Sequence, residues 1–190
     1  MSHKKSINVA LIGNPNTGKT SLFNELTGLN QKVGNYPGVT VDKKEGSSKL
    51  QKNLKAIITD LPGTYSINPT SLDESIVLKT LLNSKSEKKS DVIVVVADIE
   101  NLKRNLLLFS QIKDLEIPTV LAINMADQME RKGITLDIKL LEKELGNDVV
   151  LLSVRKEKGI DELKKAIVNT YHSAKAFPLC NVNNRIDPAY

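Results

Sequence analysis

The chain has 190 residues, 40% of them hydrophobic and 26% charged. That is the composition of one folded domain with its own core, and it excludes a disordered chain. The longest apolar run, Val92 to Ala97, has six residues, while a membrane helix needs about 20. The start, Met1-Ser2-His3-Lys4-Lys5, lacks a signal peptide's apolar stretch. The net charge of +5 comes from lysines scattered through every segment, and three Phe with no Trp leave little for base stacking. A solvated surface is therefore expected, with no nucleic acid partner, though a phosphate-rich small ligand suits the charge. Cys180 is the single cysteine, which precludes an internal disulfide and suits a reducing compartment.

In chain order, apolar runs at 7–12, 54–59, 92–97, 119–123 and 149–152 predict buried strands. Residues 30–53 hold Gly34, Pro37, Gly38 and Gly46 with weak alternation at Val39 and Val41, which suggests a loop running into an edge strand. Ser71 to Glu74 has the pattern of a capping box, with Leu78, Leu81 and Leu82 following on an inner face. Leu102, Leu106, Phe109 and Ile112 form one stripe. Ile138, Leu141 and Leu145 form the next, ended by Gly146, and Ile160, Leu163, Ile167 and Tyr171 the last. Strands alternating with helices predict an α/β fold in three layers: a mostly parallel six-stranded sheet with one antiparallel edge strand and helices on both faces. Residues 177–190 hold two prolines and no periodicity, and read as a linker or a cut end.

Four loops carry chemistry. Gly13-Asn14-Pro15-Asn16-Thr17-Gly18-Lys19-Thr20 follows the first strand and has the G-x-x-x-x-G-K-[ST] pattern of a phosphate-binding loop, with Ser21 next in line. Its backbone N–H groups and the helix start after Gly18 favour phosphate oxygens. Lys19 would bridge the β- and γ-phosphates, and the Thr20 hydroxyl would ligate Mg²⁺. Asp60-Leu61-Pro62-Gly63 puts a carboxylate beside that metal and the Gly63 N–H at the γ-phosphate. The competing role for Asp60 is a cap. Asn124-Met125-Ala126-Asp127 is an N-x-x-D loop. The Asp127 carboxylate can accept from guanine N1–H and the 2-amino group, which adenine cannot offer. Asn124 would stitch this loop to the phosphate loop. In the GTPases that this loop resembles a lysine stacks on the base where Ala126 stands, so modest affinity and fast release are expected. Ser153-Val154-Arg155 occupies the place of a loop whose N–H meets guanine O6, departing from the usual Ser-Ala-Lys at two positions.

This ordered set resembles a P-loop GTPase, and more specifically the cytosolic G domain of the bacterial ferrous iron transport protein B (FeoB). The resemblance covers about residues 5–173. It rests on Asn14 to Asn24, on Val33-Gly34-Asn35-Tyr36-Pro37-Gly38-Val39-Thr40-Val41, on Asp60 to Ser66, and on Asn101 to Leu106. It implies a switch at 30–45, in which Thr40 reaches Mg²⁺ when GTP is bound, and a second at 61–72. It also implies a G domain over 1–173, with 174–190 a linker or the start of a truncated helical domain. Partners would be a guanine nucleotide, plus helical and permease portions beyond this chain at the cytoplasmic side of the bacterial inner membrane. The domain alone is expected to be soluble, as a monomer or weak oligomer.

Catalysis needs a group that stabilises transition-state charge. Ras-like enzymes orient water with a glutamine after D-x-x-G; here Thr64 stands there and is too short. Slow hydrolysis is expected, with Lys19, Thr40, Gly63 and Asn16 as the catalytic set. Arg104 and Arg131 lie outside the motif loops and read as surface residues. In potassium-activated GTPases of similar sequence, the residue matching Asn16 helps bind K⁺. The other role for Asn16 is a loop-stabilising hydrogen bond. His3, His172 and Cys180 show no metal pattern, so no iron or zinc site is expected. Two rival functions are an RNA- or ribosome-associated GTPase and a non-catalytic nucleotide-binding module. The first would want an RNA-binding appendage, and Lys19, Thr20, Thr40 and Asp60 argue against the second.

Overall fold

The computed structural model describes residues 6–29, 31–35, 42–67, 75–77, 81 and 89–173. Seven strands form one sheet: β1 (Ser6–Gly13), β2 (Gln31–Asn35), β3 (Asp42–Gln51), β4 (Leu54–Asp60), β5 (Val92–Asp98), β6 (Thr119–Asn124) and β7 (Val149–Leu151), in the spatial order β2-β3-β4-β1-β5-β6-β7. β1 lies parallel between β4 and β5, and β5, β6 and β7 continue in parallel. β3 runs antiparallel to both β4 and β2. The α/β class stands. The sheet has seven strands where six were expected, and the edge strand is β2, so most of 30–53 is strand and not loop. Gln-Lys-Val-Gly-Asn has no apolar face, and Val33 is 62% exposed. Its strand state comes from the backbone ladder to β3, from Gln31 opposite Gly46 to Asn35 opposite Asp42.

Period-two alternation sorts the central strands between two cores. Ile7, Val9 and Leu11 of β1 and Val92, Val94 and Val96 of β5 face one side. There they meet Leu22, Phe23 and Leu26 of helix α1 (Lys19–Thr27) and Leu163 and Ile167 of another helix, Ile160–Ser173. Ala10, Ile12, Ile93 and Val95 face the other side. They pack on Leu108, Phe109 and Ile112 of helix α2 (Leu102–Lys113), with Ile76, Val77 and Leu81 beside them. Each fully buried Leu, Ile or Phe contributes about 1.5–3 kcal/mol relative to exposure. Phe23→Ala or Phe109→Ala would each cost about 3–5 kcal/mol.

Three more helices follow: α3 (Gln128–Lys132), α4 (Ile138–Leu145) and α5 (Ile160–Ser173). α4 starts with the Asp137 carboxylate accepting from Leu140 N–H and ends, as expected, at Gly146 in the left-handed region. Buried Lys113 donates to the Leu145 carbonyl at that end. Among the described residues no helix is long and apolar enough to cross a membrane. Thr40, Ser71, Glu74, Leu78, Leu82 and residues 174–190 lie outside the described residues, as do parts of both expected switch segments.

Candidate functional site

All four chemistry-bearing loops leave the carboxyl ends of parallel strands. β1 stands between β4 and β5, where the strand order reverses, and a crevice at such a reversal is where open α/β sheets take ligands. The Gly13–Thr20 loop sits at that point. Thr17 Oγ1 donates to the Asn14 carbonyl at 3.0 Å and closes the loop on itself. Gly18 has φ +81, and a Cβ there would run into Asn124 Nδ2, so only glycine lets the loop meet its neighbour. Asn16 also adopts a left-handed backbone, φ 68, which asparagine tolerates better than most residues. Its side chain is exposed and makes no hydrogen bond among the described residues.

Lys19 and Thr20 open α1 and converge on Asp60 at the end of β4. Lys19 Nζ donates to Asp60 Oδ1, and Thr20 Oγ1 donates to Oδ2 at 3.1 Å. Lys19 is 9% exposed and Asp60 7%. Asp60 therefore joins the phosphate-loop residues across the sheet and does not cap a turn. Removing one partner of such a buried pair would cost about 3–5 kcal/mol. Asn14, only 3% exposed, leaves both amide atoms without a partner among the described residues, an unmet polar capacity that native interiors rarely tolerate without a ligand or water. Exposed Ser21 is the third residue of α1.

The segment after Asp60 is held against the phosphate loop. Leu61 N–H donates to the Leu11 carbonyl and Thr64 N–H to the Gly13 carbonyl, each at 3.1 Å. Gly63 sits over Pro15, where a Cβ would lie 3.3 Å from Pro15 Cγ. The buried Thr64 hydroxyl donates to the Ser66 carbonyl at 2.6 Å and so points along its own chain.

Two further loops meet at Asn124 and Asp127. Asn124 Nδ2 donates to the Thr17 carbonyl at 3.0 Å, and its Oδ1 accepts from Val154 N–H at 3.2 Å. Asn124 thus ties the phosphate loop to the Ser153–Arg155 loop. Met125 takes φ 63, a strained value for such a side chain. Ala126 N–H donates to the Leu152 carbonyl at 2.9 Å and pins the loop. The half-buried Asp127 carboxylate precedes α3 without capping it. Instead it accepts from Ser153 Oγ at 2.7 Å, and Gln128 Nε2 approaches its other oxygen at 3.4 Å. The Ser153 hydrogen bond holds this carboxyl below the usual carboxylate range; partial desolvation opposes it, and Lys156 and Arg155 add to it. Arg155 thus acts near the site through its charge, from the short 3-10 turn Val154–Lys156.

Sequence reasoning missed a polar group beside the phosphate loop. A cavity of about 180 Å³ separates Asn14–Thr17 from Asp98, Asn105 and Arg104. Asp98 N–H donates to Asn105 Oδ1 at 2.7 Å, and Asn101 Nδ2 donates to Asp98 Oδ2 at 2.6 Å. Arg104 is exposed, as expected, but its guanidinium lies 4.1 Å from the Tyr65 ring centroid. The available signal was Asp98 closing an otherwise apolar strand, with Asn101, Lys103, Arg104 and Asn105 following within seven residues. His172 lies against Tyr171 at the end of α5, and His3 and Cys180 lie outside the described residues.

A family model described as ferrous iron transport protein B matches residues 7–167. The chain belongs to the ferrous iron transport protein B family. It is 48% identical over 160 residues to the Fe(2+) transporter FeoB of Leptospira biflexa, covering 84% of this chain and 23% of that protein. The FeoB of Salmonella typhimurium is 43% identical over 167 residues, covering 86% and 21%. The chain therefore spans less than a quarter of the length of these relatives. A crystal structure of the T. maritima FeoB G domain is 40% identical with a TM-score of 0.79, covering 87% of this chain and 98% of that one. A GDP-bound mutant of S. thermophilus NFeoB is 44% identical with a TM-score of 0.81, covering 90% and 65%.

Proposed function

We propose that this G domain binds GTP and hydrolyses it slowly to GDP and phosphate, and that this switch drives or gates ferrous iron uptake by a permease portion outside this chain. The observation that carries the reading is the double hydrogen bond of Asn124. It fixes the loop bearing Asp127 to the loop bearing Lys19, so a base reader and a phosphate cradle are held at one spacing. The GDP bound in the S. thermophilus relative supports it.

In this reading, Gly13–Thr20 wraps the phosphates, and Lys19 exchanges Asp60 for the β- and γ-oxygens. Asp127 accepts from guanine, and Ser153, Val154 and Arg155 border the base. Thr20 and Asp60 offer hard oxygen donors side by side, a set that fits Mg²⁺; Thr40 would add a third. Mg²⁺, when bound, neutralises charge on the transferring phosphate. Gly63 N–H meets the γ-phosphate. Asn16, with its side chain free of protein hydrogen bonds among the described residues, fits a K⁺ ligand where an arginine finger would stand. The domain extends over 1–173, with 174–190 leading to the helical portion, and works at the cytoplasmic face of the inner membrane. The test is multiple-turnover release of phosphate from radiolabelled GTP by this chain and by Lys19→Ala. Turnover by the first and none by the second is expected; no turnover by the unmutated chain would overturn the reading.

A further inference from the structure

We infer that Arg104 and Gln111 of α2 are positioning residues that clamp the chain after Gly63, and so fix the Gly63 N–H for the γ-phosphate. This rests on the hydrolysis reading above. Residues 65–67 touch α2 through two side chains. The Arg104 guanidinium covers the Tyr65 ring at 4.1 Å, and Gln111 Oε1 accepts from Ile67 N–H at 3.1 Å. Arg104 and Gln111 are two helical turns apart, so one rigid helix holds both ends of the three-residue stretch. On its other side the stretch is tied by Thr64 N–H to the Gly13 carbonyl. Gly63 itself has no side chain to anchor it and lies against Pro15, so the flanking ties bear on its N–H direction.

Asp98 lines the same cavity as Arg104, its Oδ1 accepting from Glu100 N–H at 2.9 Å and its Oδ2 from Asn101 Nδ2. The guanidinium lies over the π-face of Tyr65, where a cation is attracted by the ring quadrupole. Tyr65, 43% exposed, would otherwise be a large ring standing in water. The clamp is weak enough to open, which suits a segment that must respond to the nucleotide.

The test uses the 190-residue chain, with steady-state GTP hydrolysis and GDP affinity measured together. Arg104→Ala and Tyr65→Leu should each lower kcat roughly two- to five-fold, the worth of an exposed cation–π contact, with GDP affinity unchanged. The double variant should lose no more than either single one, because both remove the same contact. Arg104→Lys and Tyr65→Phe should restore most of the rate, and Gln111→Glu, still an acceptor, should exceed Gln111→Ala. Losses that multiply, an unchanged kcat, or no rescue by lysine would overturn the clamp. Amide exchange at Thr64 separates this from the hydrolysis reading: it should quicken in Arg104→Ala and recover in Arg104→Lys even if no GTP turns over. Equal Thr64 exchange in all three proteins would also overturn it.

Discussion

The Asn124 carboxamide donates to the Thr17 carbonyl across 107 positions of sequence, at 3.0 Å, while its oxygen accepts from Val154 N–H. One buried side chain thereby sets the distance between three loops. Asn124→Ala leaves the buried Thr17 carbonyl and the partly buried Val154 N–H unpaired, a loss of about 1–3 kcal/mol. Thermal unfolding should fall by about 2–4 °C per kcal/mol. GTP affinity should fall further than unfolding stability alone predicts, and calorimetry on the same samples checks both.

Gly18 is the backbone side of that contact. Gly18→Ala places a Cβ at φ +81 against Asn124 Nδ2. Left-handed strain contributes about 1–2 kcal/mol, and each 1.4 kcal/mol is tenfold in affinity. GDP binding should weaken by about tenfold or more, measured by fluorescent-nucleotide titration.

Asp127 makes a prediction about pH. Its carboxyl titrates below the usual carboxylate range, chiefly because Ser153 Oγ donates to it. A depressed acid contributes stability above its unfolded value, and that contribution is lost as pH falls through the lower folded value. The carboxylate is thus ionised throughout the neutral range, and Asp127 gives GTP affinity no pH dependence between about pH 5 and 8. Ser153→Ala removes the main cause and should move the Asp127 titration up toward the ordinary aspartate range, read by carbon-13 NMR of the carboxyl.

Asn16 tests the monovalent ion. An arginine finger is worth roughly 10³–10⁵ in rate, and a singly charged ion with longer contacts should give less, about 10–100-fold for K⁺ over Na⁺. Asn16→Ala should abolish that ratio while sparing GDP affinity, because Lys19 and the loop N–H groups remain. Turnover in KCl and NaCl at matched ionic strength decides; equal wild-type rates would remove K⁺ from the mechanism.

Much of this was legible in the sequence where one force dominates. β5 and β6 are buried along their whole lengths, so unbroken apolar runs gave them away. β2 and β3 hold Gln-Lys-Val-Gly-Asn and Asp-Lys-Lys-Glu-Gly-Ser-Ser-Lys-Leu-Gln. Backbone ladders hold such strands, and no side-chain pattern records a ladder. The Lys19, Asp60, Asn124 and Asp127 loops were legible because each chemistry needs adjacent residues. The Arg104–Tyr65 stack and the Asp98–Asn105 bond were not, since they depend on how α2 lies against the sheet and on neither residue's local spacing.

Base choice tests the central claim most directly. Asp127, oriented by Ser153 and held to the phosphate loop through Asn124, should make this a guanine site. The measurement is competition of GTP and ATP for a fluorescent guanine nucleotide, with wild type and Asp127→Asn side by side. The wild-type chain should prefer GTP. The variant should lose on the order of 2–4 kcal/mol for GTP, as expected when a buried polar partner is removed, and should gain xanthosine nucleotides. Equal affinity of the wild-type chain for GTP and ATP would contradict the account.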